Sequence, residues 1–301
     1  MKRALVTGAS GFVGRAVVVA LKRLGYEVHG VARTAAPQVP VDRWHEADLL
    51  EPSAAERLVQ EAGSTHLVLL AWTTRHGSYW EDPANQDWVT ATQRLVGAFA
   101  QAGGERVVLG GSCAQYDWSE TAPMSETLTR RRPSTRYGRA KQATEELLGE
   151  AAAPAGLSAA TALLFFPYGP YEQPDRLVPS VARRLLEGQE ARTSAGRQVR
   201  DFMHVDDCGR ALAAVVDAEL TGPVNIGSGS GISVADVATT LAQIVGREDL
   251  LRLGELGDGD ETRVVADVGR LAGELGFEPR YRLEEGLRDT VEWWRQRTRR
   301  R

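Results

Sequence analysis

The feature that most constrains this chain is a glycine triplet near its start, within LVTGASGFVG. Gly8, Gly11 and Gly14 stand where a short apolar strand passes into a helical run. A helix N-terminus offers a phosphate group unpaired backbone N–H groups and a favourable dipole. Glycine permits the positive φ of a tight turn and removes the Cβ atoms that would block a close approach. The spacing therefore predicts a strand–helix unit that binds the pyrophosphate of a dinucleotide.

The first half of the chain alternates short apolar runs with amphipathic helical stretches. The runs at 67–70 and 107–109 are apolar at successive positions, which is typical of strands covered by helices on both faces. Repeated strand–helix units predict an α/β fold with a doubly wound parallel sheet of the Rossmann type. We expect residues 1–166 to form this dinucleotide-binding domain, with a return segment at about 202–227. Residues 167–301 are expected to form mainly a smaller, C-terminal substrate-binding lobe.

Composition argues against several classes of protein. The formal net charge of -4 gives no general attraction to nucleic acid or to an anionic membrane, and no apolar run reaches the roughly 18 residues of a membrane span. The two cysteines, Cys113 and Cys208, support neither a disulfide framework nor a metal cluster. We interpret the basic run at 293–301 as the solvated end of a C-terminal helix. These features predict a cytoplasmic protein without nucleic-acid, membrane or metal partners.

The end of the second predicted strand indicates which dinucleotide is bound. An NAD site usually carries an acid there, which holds the adenosine ribose 2′-hydroxyl. This chain has Ala32 and Arg33 instead. Arg33 is suited to pair with a 2′-phosphate, so NADP(H) is favoured over NAD(H). Asp48, after the next short strand, is suited to the adenine amino group. The alternatives are a solvated loop residue for Arg33 and a capping or loop acid for Asp48.

A second motif, YGRAK, places Tyr137 and Lys141 four residues apart and hence on one face of a helix. A free tyrosine, with a pKa of about 10, is a poor acid–base catalyst at neutral pH. A neighbouring ammonium would stabilise the phenolate and lower that pKa. Ser112, in GGSCAQY, follows directly on a predicted strand, where its hydroxyl would polarise a substrate carbonyl. We predict that these three residues are catalytic.

In their order along the chain, TGASGFVG, GSCAQY, YGRAK and RDFMHVDD resemble the motifs of the extended short-chain dehydrogenase/reductase family. That family comprises NAD-dependent nucleotide-sugar epimerases, dehydratases and ketoreductases. The resemblance runs from Met1 to about Trp294. It implies that Ser112 and Tyr137 flank the reacting sugar carbon, and that Lys141 also holds the nicotinamide ribose. It further implies a homodimer.

The resemblance also implies a set of binding residues. Arg200 and Arg263 are expected to bind the diphosphate of a nucleotide-diphosphate sugar, because guanidinium groups suit phosphate oxygens. The alternative for Arg200 is a structural salt bridge with Asp206 or Asp207. Gln115 is expected to contact the substrate. Further cofactor contacts are expected at the start of the first helix and at the ends of the strands: Phe12, Val13, Leu49, Leu70 and Ala71.

Three features depart from the family pattern. Dehydratases of the family carry an Asp–Glu pair after the catalytic hydroxyl, whereas this chain has Cys113 and Ala114 there, so water elimination is not expected. Phe165 and Phe166 replace a frequent asparagine before YGP, so substrate contacts cannot be copied from the epimerases. The segment AWTTRHGSYW is unusually aromatic, and its rings either line a sugar pocket or pack in the core.

These observations favour an NADPH-dependent ketoreductase that acts on a nucleotide-diphosphate sugar, in particular on the 4-keto group of a 6-deoxyhexose. Tyr137 would donate the proton and Ser112 would hold the developing oxyanion. An NAD-dependent 4-epimerase would use the same residues, but the missing acid at Ala32 disfavours tightly held NAD⁺. The third alternative is a non-catalytic dinucleotide-binding protein of the same fold. It is disfavoured because Tyr137 and Lys141 are both present.

Overall fold

The computed structural model of the protein describes residues 2–298. The strands are β1 (Arg3–Thr7), β2 (Glu27–Ala32), β3 (Arg43–Glu46), β4 (His66–Leu69), β5 (Arg106–Ser112), β6 (Ser158–Leu164), β7 (Phe166–Tyr168), β8 (Ala191–Arg192), β9 (Val199–His204), β10 (Gly222–Ile226), β11 (Gly231–Ser233), β12 (Leu251–Arg252) and β13 (Arg263–Val264). The helices are α1 (Phe12–Arg23), α2 (Ala54–Ala62), α3 (Asn85–Gln101), α4 (Arg136–Ala155), α5 (Leu177–Leu186), α6 (Val205–Asp217), α7 (Val234–Val245), α8 (Gly269–Gly273) and α9 (Leu283–Thr298). Within residues 2–298, no helix has both the length and the apolar character needed to cross a membrane. The basic run predicted to end a helix belongs to α9 as far as Thr298, and its last three residues lie outside the described part of the chain.

Seven strands form one sheet in the order β10-β6-β5-β4-β1-β2-β3. Every neighbouring pair in this sheet runs parallel. At its centre, Val6 of β1 is in register with Gly30 of β2 and with Val68 of β4. The strand order reverses between β1 and β4, so the carboxyl ends of these strands open a crevice, which is where such sheets bind ligands. The predicted doubly wound parallel sheet is confirmed.

Helices cover both faces of the large sheet, which explains its unbroken apolar strands. On one face α1 and α6 pack through fully buried side chains such as Val17, Leu21 and Leu212. On the other face α2 and α3 contribute Leu58 and Phe99, together with residues of α4. Burial of each such side chain is worth roughly 1.5–3 kcal/mol. The two layers therefore hold the strand ends, and the loops after them, in fixed positions.

The chain leaves the large sheet at Phe165, and a smaller lobe begins. β7 pairs with β9 in a second sheet, in which β9 also pairs with β11 and β13. Helices α5, α7 and α9 bury Val181, Leu241 and Val291 together in this lobe. Between these parts α6 and β10 return to the large sheet, where β10 lies beside β6 at the edge. The smaller lobe therefore stands next to the crevice at the strand ends.

Candidate active site

The glycine turn links β1 to α1 at the crevice. Gly8 has a φ of +68°, and a Cβ there would lie 2.9 Å from the amide nitrogen of Ala71, so this position requires glycine. A Cβ on Gly14 would overlap the carbonyl oxygen of Gly8. Glycine at 14 therefore lets α1 begin directly against the turn. A Cβ on Gly11 would lie 3.0 Å from the carbonyl oxygen of Gly8 and would contact no other atom of the described residues. The space in front of α1 therefore stays open.

A cavity of about 1220 Å³ extends from this turn along the ends of the strands and into the smaller lobe. Its volume exceeds what one drug-sized ligand requires, so it has room for a dinucleotide and a second ligand. All the residues predicted to be catalytic or to bind the cofactor line it, together with one predicted diphosphate ligand: Gly8, Gly11, Phe12, Val13, Gly14, Arg33, Asp48, Leu49, Leu70, Ala71, Ser112, Tyr137, Lys141 and Arg200. The fold thus brings residues from widely separated motifs to one space.

Arg33 and Asp48 mark one end of the cavity, near the ends of β2 and β3. Arg33 is exposed and follows Ala32, so no carboxylate stands at the position that would hold a ribose 2′-hydroxyl. One carboxylate oxygen of Asp48 accepts a hydrogen bond from the Leu50 amide, at 3.0 Å. Asp48 therefore caps its own turn and still faces the cavity.

Ser112 and Tyr137 meet because β5 and α4 approach each other closely. Ser112 is the last residue of β5, and its hydroxyl is close enough to Tyr137 to influence the pKa of the phenol. The side chain of Thr135 caps α4 by accepting from the Gly138 amide, at 3.1 Å. A Cβ on Gly138 would overlap the carbonyl oxygen of Ala114 in the turn after β5. Gly138 thus sets the distance between Tyr137 and Ser112, a role that the YGRAK motif did not suggest.

Burial dominates the electrostatics of Tyr137 and Lys141. It raises the pKa of Tyr137 above the usual value, while the nearby Ser112 hydroxyl and, to a smaller extent, the Arg176 guanidinium lower it. Burial lowers the pKa of Lys141 to about 7. The Lys141 Nζ atom donates to the Gly110 carbonyl oxygen at 2.9 Å. It lies 3.7 Å from the centre of the Trp72 ring and 5.9 Å from that of Tyr137. In this structure the groups that lower the pKa of Tyr137 are therefore Ser112 and Arg176 rather than the predicted ammonium of Lys141.

The aromatic segment after β4 surrounds Tyr137 and also lines the cavity. The rings of Trp72, Tyr79 and Trp80 stand edge-on to the Tyr137 ring, with centroids 6.2, 5.0 and 5.7 Å away. The Tyr137 amide donates to the Trp80 carbonyl oxygen at 3.0 Å, which ties the segment to the start of α4. The sequence offered two alternatives for these rings, lining a pocket or packing in the core. In the structure the same rings do both.

Two predicted substrate residues do not reach the cavity. Gln115 is fully buried, and its side chain donates to Glu145 and accepts from the Ser112 amide at 2.9 Å. It closes the short 3₁₀ turn after β5 and so points inward. Arg263 is exposed on β13, away from the cavity lining. Neither residue lines the cavity in this structure, and their contacts with a substrate stay predictions.

Arg200 lines the cavity, but its guanidinium group is paired with a carboxylate of the acidic loop between β12 and β13. Its guanidinium group donates to both carboxylate oxygens of Asp260, at 2.9 and 3.1 Å. The alternative, a structural salt bridge, therefore does form, but its partner is Asp260 rather than Asp206 or Asp207. A second cavity arginine, Arg192, pairs with Glu255 of the same loop at 3.1 Å. A diphosphate that bound these arginines would take the place of the two carboxylates.

Sequence analysis missed two charged residues of the small-lobe wall. Glu172 lines the cavity, and burial raises its pKa to about 8. Its Oε2 atom has no hydrogen-bond partner among the described residues. The guanidinium group of Arg176 lies over the Tyr79 ring, 5.1 Å from the centroid, and attracts the Glu172 carboxylate. Both lie in the proline-rich segment after β7, where neither periodicity nor a motif indicates which side chains turn inward.

The fold and the site together define the class of the protein. A family model described as the NAD dependent epimerase/dehydratase family matches residues 4–227. The chain therefore belongs to this family, which confirms the resemblance seen in its motifs and the expected oxidoreductase type of enzyme. Among residues 2–298, no group of three or more His, Cys, Asp and Glu side chains is placed to hold a metal ion.

Similarity to individual relatives extends over almost the whole chain. The UDP-glucose 4-epimerase of Bacillus subtilis (strain 168) is 26% identical, with 96% of each protein covered. The dTDP-glucose 4,6-dehydratase of Streptomyces griseus is 27% identical, covering 96% of this chain and 93% of that one. Among solved structures, MoeE5 in complex with UDP-glucuronic acid and NAD is 32% identical, with a TM-score of 0.86 over 98% of this chain and 99% of that one.

Proposed function

We propose that the protein is an NADPH-dependent ketoreductase of nucleotide-diphosphate sugars, and that its substrate is a 4-keto-6-deoxyhexose derivative. One observation carries this proposal: Ser112, Tyr137 and Lys141 face a single cavity that begins at the glycine turn and ends at the arginines of the smaller lobe. The cavity thus joins a dinucleotide cradle, an acid–base group and cationic side chains suited to a diphosphate.

The residues present fit a dinucleotide. Glycine at 8, 11 and 14 leaves open the space that a pyrophosphate needs at the first amides of α1. Arg33 would hold the 2′-phosphate, Asp48 would accept from the adenine amino group, and Lys141 would hold the nicotinamide ribose. When bound, the dinucleotide supplies the hydride, and the protein orients it. NAD in the complexes of relatives supports the nicotinamide class, while Arg33 favours the phosphorylated form.

The chain's own residues would complete the reduction of the keto group. The phenol of Tyr137 gives its proton to the carbonyl oxygen as the carbon gains a hydride, so the ketone becomes an alcohol. The Ser112 hydroxyl donates a hydrogen bond to that oxygen while its negative charge develops. Arg200, released from Asp260, would bind the diphosphate. Cys113 and Ala114 are buried in place of an acid pair, and burial raises the pKa of Cys113 to about 12, which leaves no acid or base for water elimination there.

A second candidate, an NAD-dependent 4-epimerase, is favoured by the full-length similarity to UDP-glucose 4-epimerase. It would use Tyr137 first as a base and then as an acid. An epimerase retains its dinucleotide through the cycle, whereas a reductase consumes it.

The two candidates are separated by testing the purified protein with NADPH or NADH against nucleotide-linked 4-keto-6-deoxyhexoses and against UDP-glucose. We expect one NADPH oxidised for each keto sugar reduced. Conversion of UDP-glucose to its 4-epimer without net NADPH use, by protein that carries NAD⁺ from purification, would instead establish the epimerase.

Replacement of Arg33 by alanine tests the choice of dinucleotide. We expect the KM for NADPH to rise about tenfold, because charge-assisted hydrogen bonds to a 2′-phosphate are lost. The KM for NADH should stay within about twofold. Thr34→Ala, at the adjacent exposed position, serves as the control and should change neither value. Equal losses for both dinucleotides would contradict the assigned 2′-phosphate contact.

The homodimer and the cytoplasmic location stay predictions from the family resemblance and the composition. Light scattering on the purified protein would test the first, since a dimer has twice the chain mass of 32.7 kDa.

A further inference from the structure

Among the described residues, the buried amine of Lys141 has no anionic partner. Lys141 is 4% exposed, and burial lowers its pKa. The groups that face it are the Gly110 carbonyl from β5, the Trp72 ring from the loop after β4, and Tyr137 on its own helix. Among these groups only the tyrosine can titrate. Removing a lone ammonium from water strongly favours its neutral form, so a charged Lys141 needs compensation from these neighbours.

Trp72 is placed to give that compensation. The Nζ atom of Lys141 lies over its ring, 3.7 Å from the centroid. A cation within about 6 Å of the ring centre is attracted to the negative face of the indole, and the attraction increases when both groups are desolvated. Tryptophan is the strongest of the aromatic side chains in this interaction.

Hydrogen bonds fix the orientation of this ring. The indole Nε1–H of Trp72 donates to Asn85 Oδ1 at 2.8 Å. The side-chain Nδ2 atom of Asn85 donates in turn to the backbone carbonyl oxygens of Tyr79, at 2.8 Å, and Asp82, at 2.9 Å. Trp88 stacks on Trp72 with centroids 6.0 Å apart. The indole therefore cannot turn away from Lys141 without breaking hydrogen bonds and a ring contact.

We propose that Trp72 is a positioning residue of the active site, whose indole face keeps the Lys141 ammonium charged and fixed beside Tyr137. The same ring contacts Tyr137 edge-on, so one side chain orders both groups. The functional consequence rests on the catalytic role proposed for Lys141. A ring that only filled space would contribute to stability and leave the protonation of the lysine unchanged.

The chain offers a direct measurement, because it contains three lysines, Lys2, Lys22 and Lys141. Labelling of lysine Cε with ¹³C allows each to be titrated by NMR. Lys2 and Lys22 form exposed salt bridges with Asp217 and Asp42, and so serve as internal references. Lys141→Arg assigns the third signal.

We expect Trp72→Leu to move the Lys141 titration to lower pH by about one unit. Trp72→Phe retains a π face and should move it by less than about half a unit. Trp88→Phe alters the neighbouring ring, which stacks on Trp72, and should leave the titration in place. If the leucine variant does not fold, Trp72→Met tests the same loss with a flexible apolar side chain. An unchanged Lys141 titration in the leucine or methionine variant overturns the proposal, as does an equal shift in the phenylalanine variant.

The pH dependence of kcat gives the functional readout. Activity that needs the ammonium falls as the pH rises through its pKa, so the basic limb should move to lower pH in Trp72→Leu and stay in place in Trp72→Phe. The NMR titration does not depend on turnover. It therefore decides the role of Trp72 even if the protein reduces no keto sugar. If the protein does reduce keto sugars but the Lys141 titration is the same in Trp72→Leu as in wild type, the role of Trp72 is rejected and the proposed function stands.

Discussion

Replacing Tyr137 by phenylalanine is expected to lower kcat by about 10²–10⁴-fold, the range for removal of a general acid. The change deletes one hydroxyl and keeps the ring. The edge-on contacts with Tyr79 and Trp80, at 5.0 and 5.7 Å, are therefore preserved. Because the role proposed for the phenol is proton transfer, the Kd for NADPH should remain within about threefold of the wild-type value.

The measurement is single-turnover reduction of the keto sugar, combined with NADPH titration by fluorescence. Tyr79→Phe is a matched control: it removes the hydroxyl of another buried tyrosine in the same ring cluster, one that faces Arg176 rather than Ser112. That variant should lose less than about tenfold in kcat. If Tyr137→Phe kept wild-type turnover, another group would be the acid and the proposed mechanism would be wrong.

Replacing Lys141 by methionine is expected to abolish most activity and at the same time to stabilise the fold. Activity should fall at least about 10²-fold, because the contacts proposed between the ammonium and the ribose, and beside Tyr137, are lost. In the folded protein the pKa of Lys141 is lowered to about 7 from 10.5. The unfolded chain therefore binds the proton more tightly, which costs folding free energy at every pH below the unfolded pKa.

The sign of this effect can be followed with pH. The cost is complete below about pH 7 and decreases as the pH rises towards 10.5. Urea unfolding should thus show Lys141→Met more stable than wild type by about 1–3 kcal/mol at pH 6.5, with a smaller gain at pH 9. Lys22→Met, which removes an exposed partner of Asp42, should change stability by less than about 1 kcal/mol at either pH. A methionine variant less stable than wild type at pH 6.5 would contradict a net cost of burying the Lys141 charge.

The large sheet could be predicted because its determinants are local. Strands buried on both faces need consecutive apolar residues, and the turn between β1 and α1 needs glycine at fixed positions. Gly8 adopts the positive φ that the motif implies, and Gly14 removes the atom that would collide with it. No side-chain partner distant in the sequence is needed to infer either feature.

The site could be predicted only where a motif fixes the place of a side chain. In this way the motifs predict that Ser112 and Tyr137 lie near each other, and both line the cavity. The partners of Arg200 and Lys141 were not predicted, because Asp260 and Trp72 come from other loops, and local periodicity does not encode which loop side chains meet a given cation. The inward orientation of Gln115 could not be predicted for a related reason. This residue follows Ser112 closely, but the capping geometry of the 3₁₀ turn directs its amide inward.

The central claim is that one dinucleotide spans the cavity from the glycine turn to the pair on α4. A crystal structure of the protein with NADP⁺ tests it directly. We predict electron density for the pyrophosphate at the first amides of α1, for the 2′-phosphate at Arg33, and for the nicotinamide beside Tyr137 and Lys141. A dinucleotide bound elsewhere, or one whose nicotinamide lies away from these two side chains, would contradict the account.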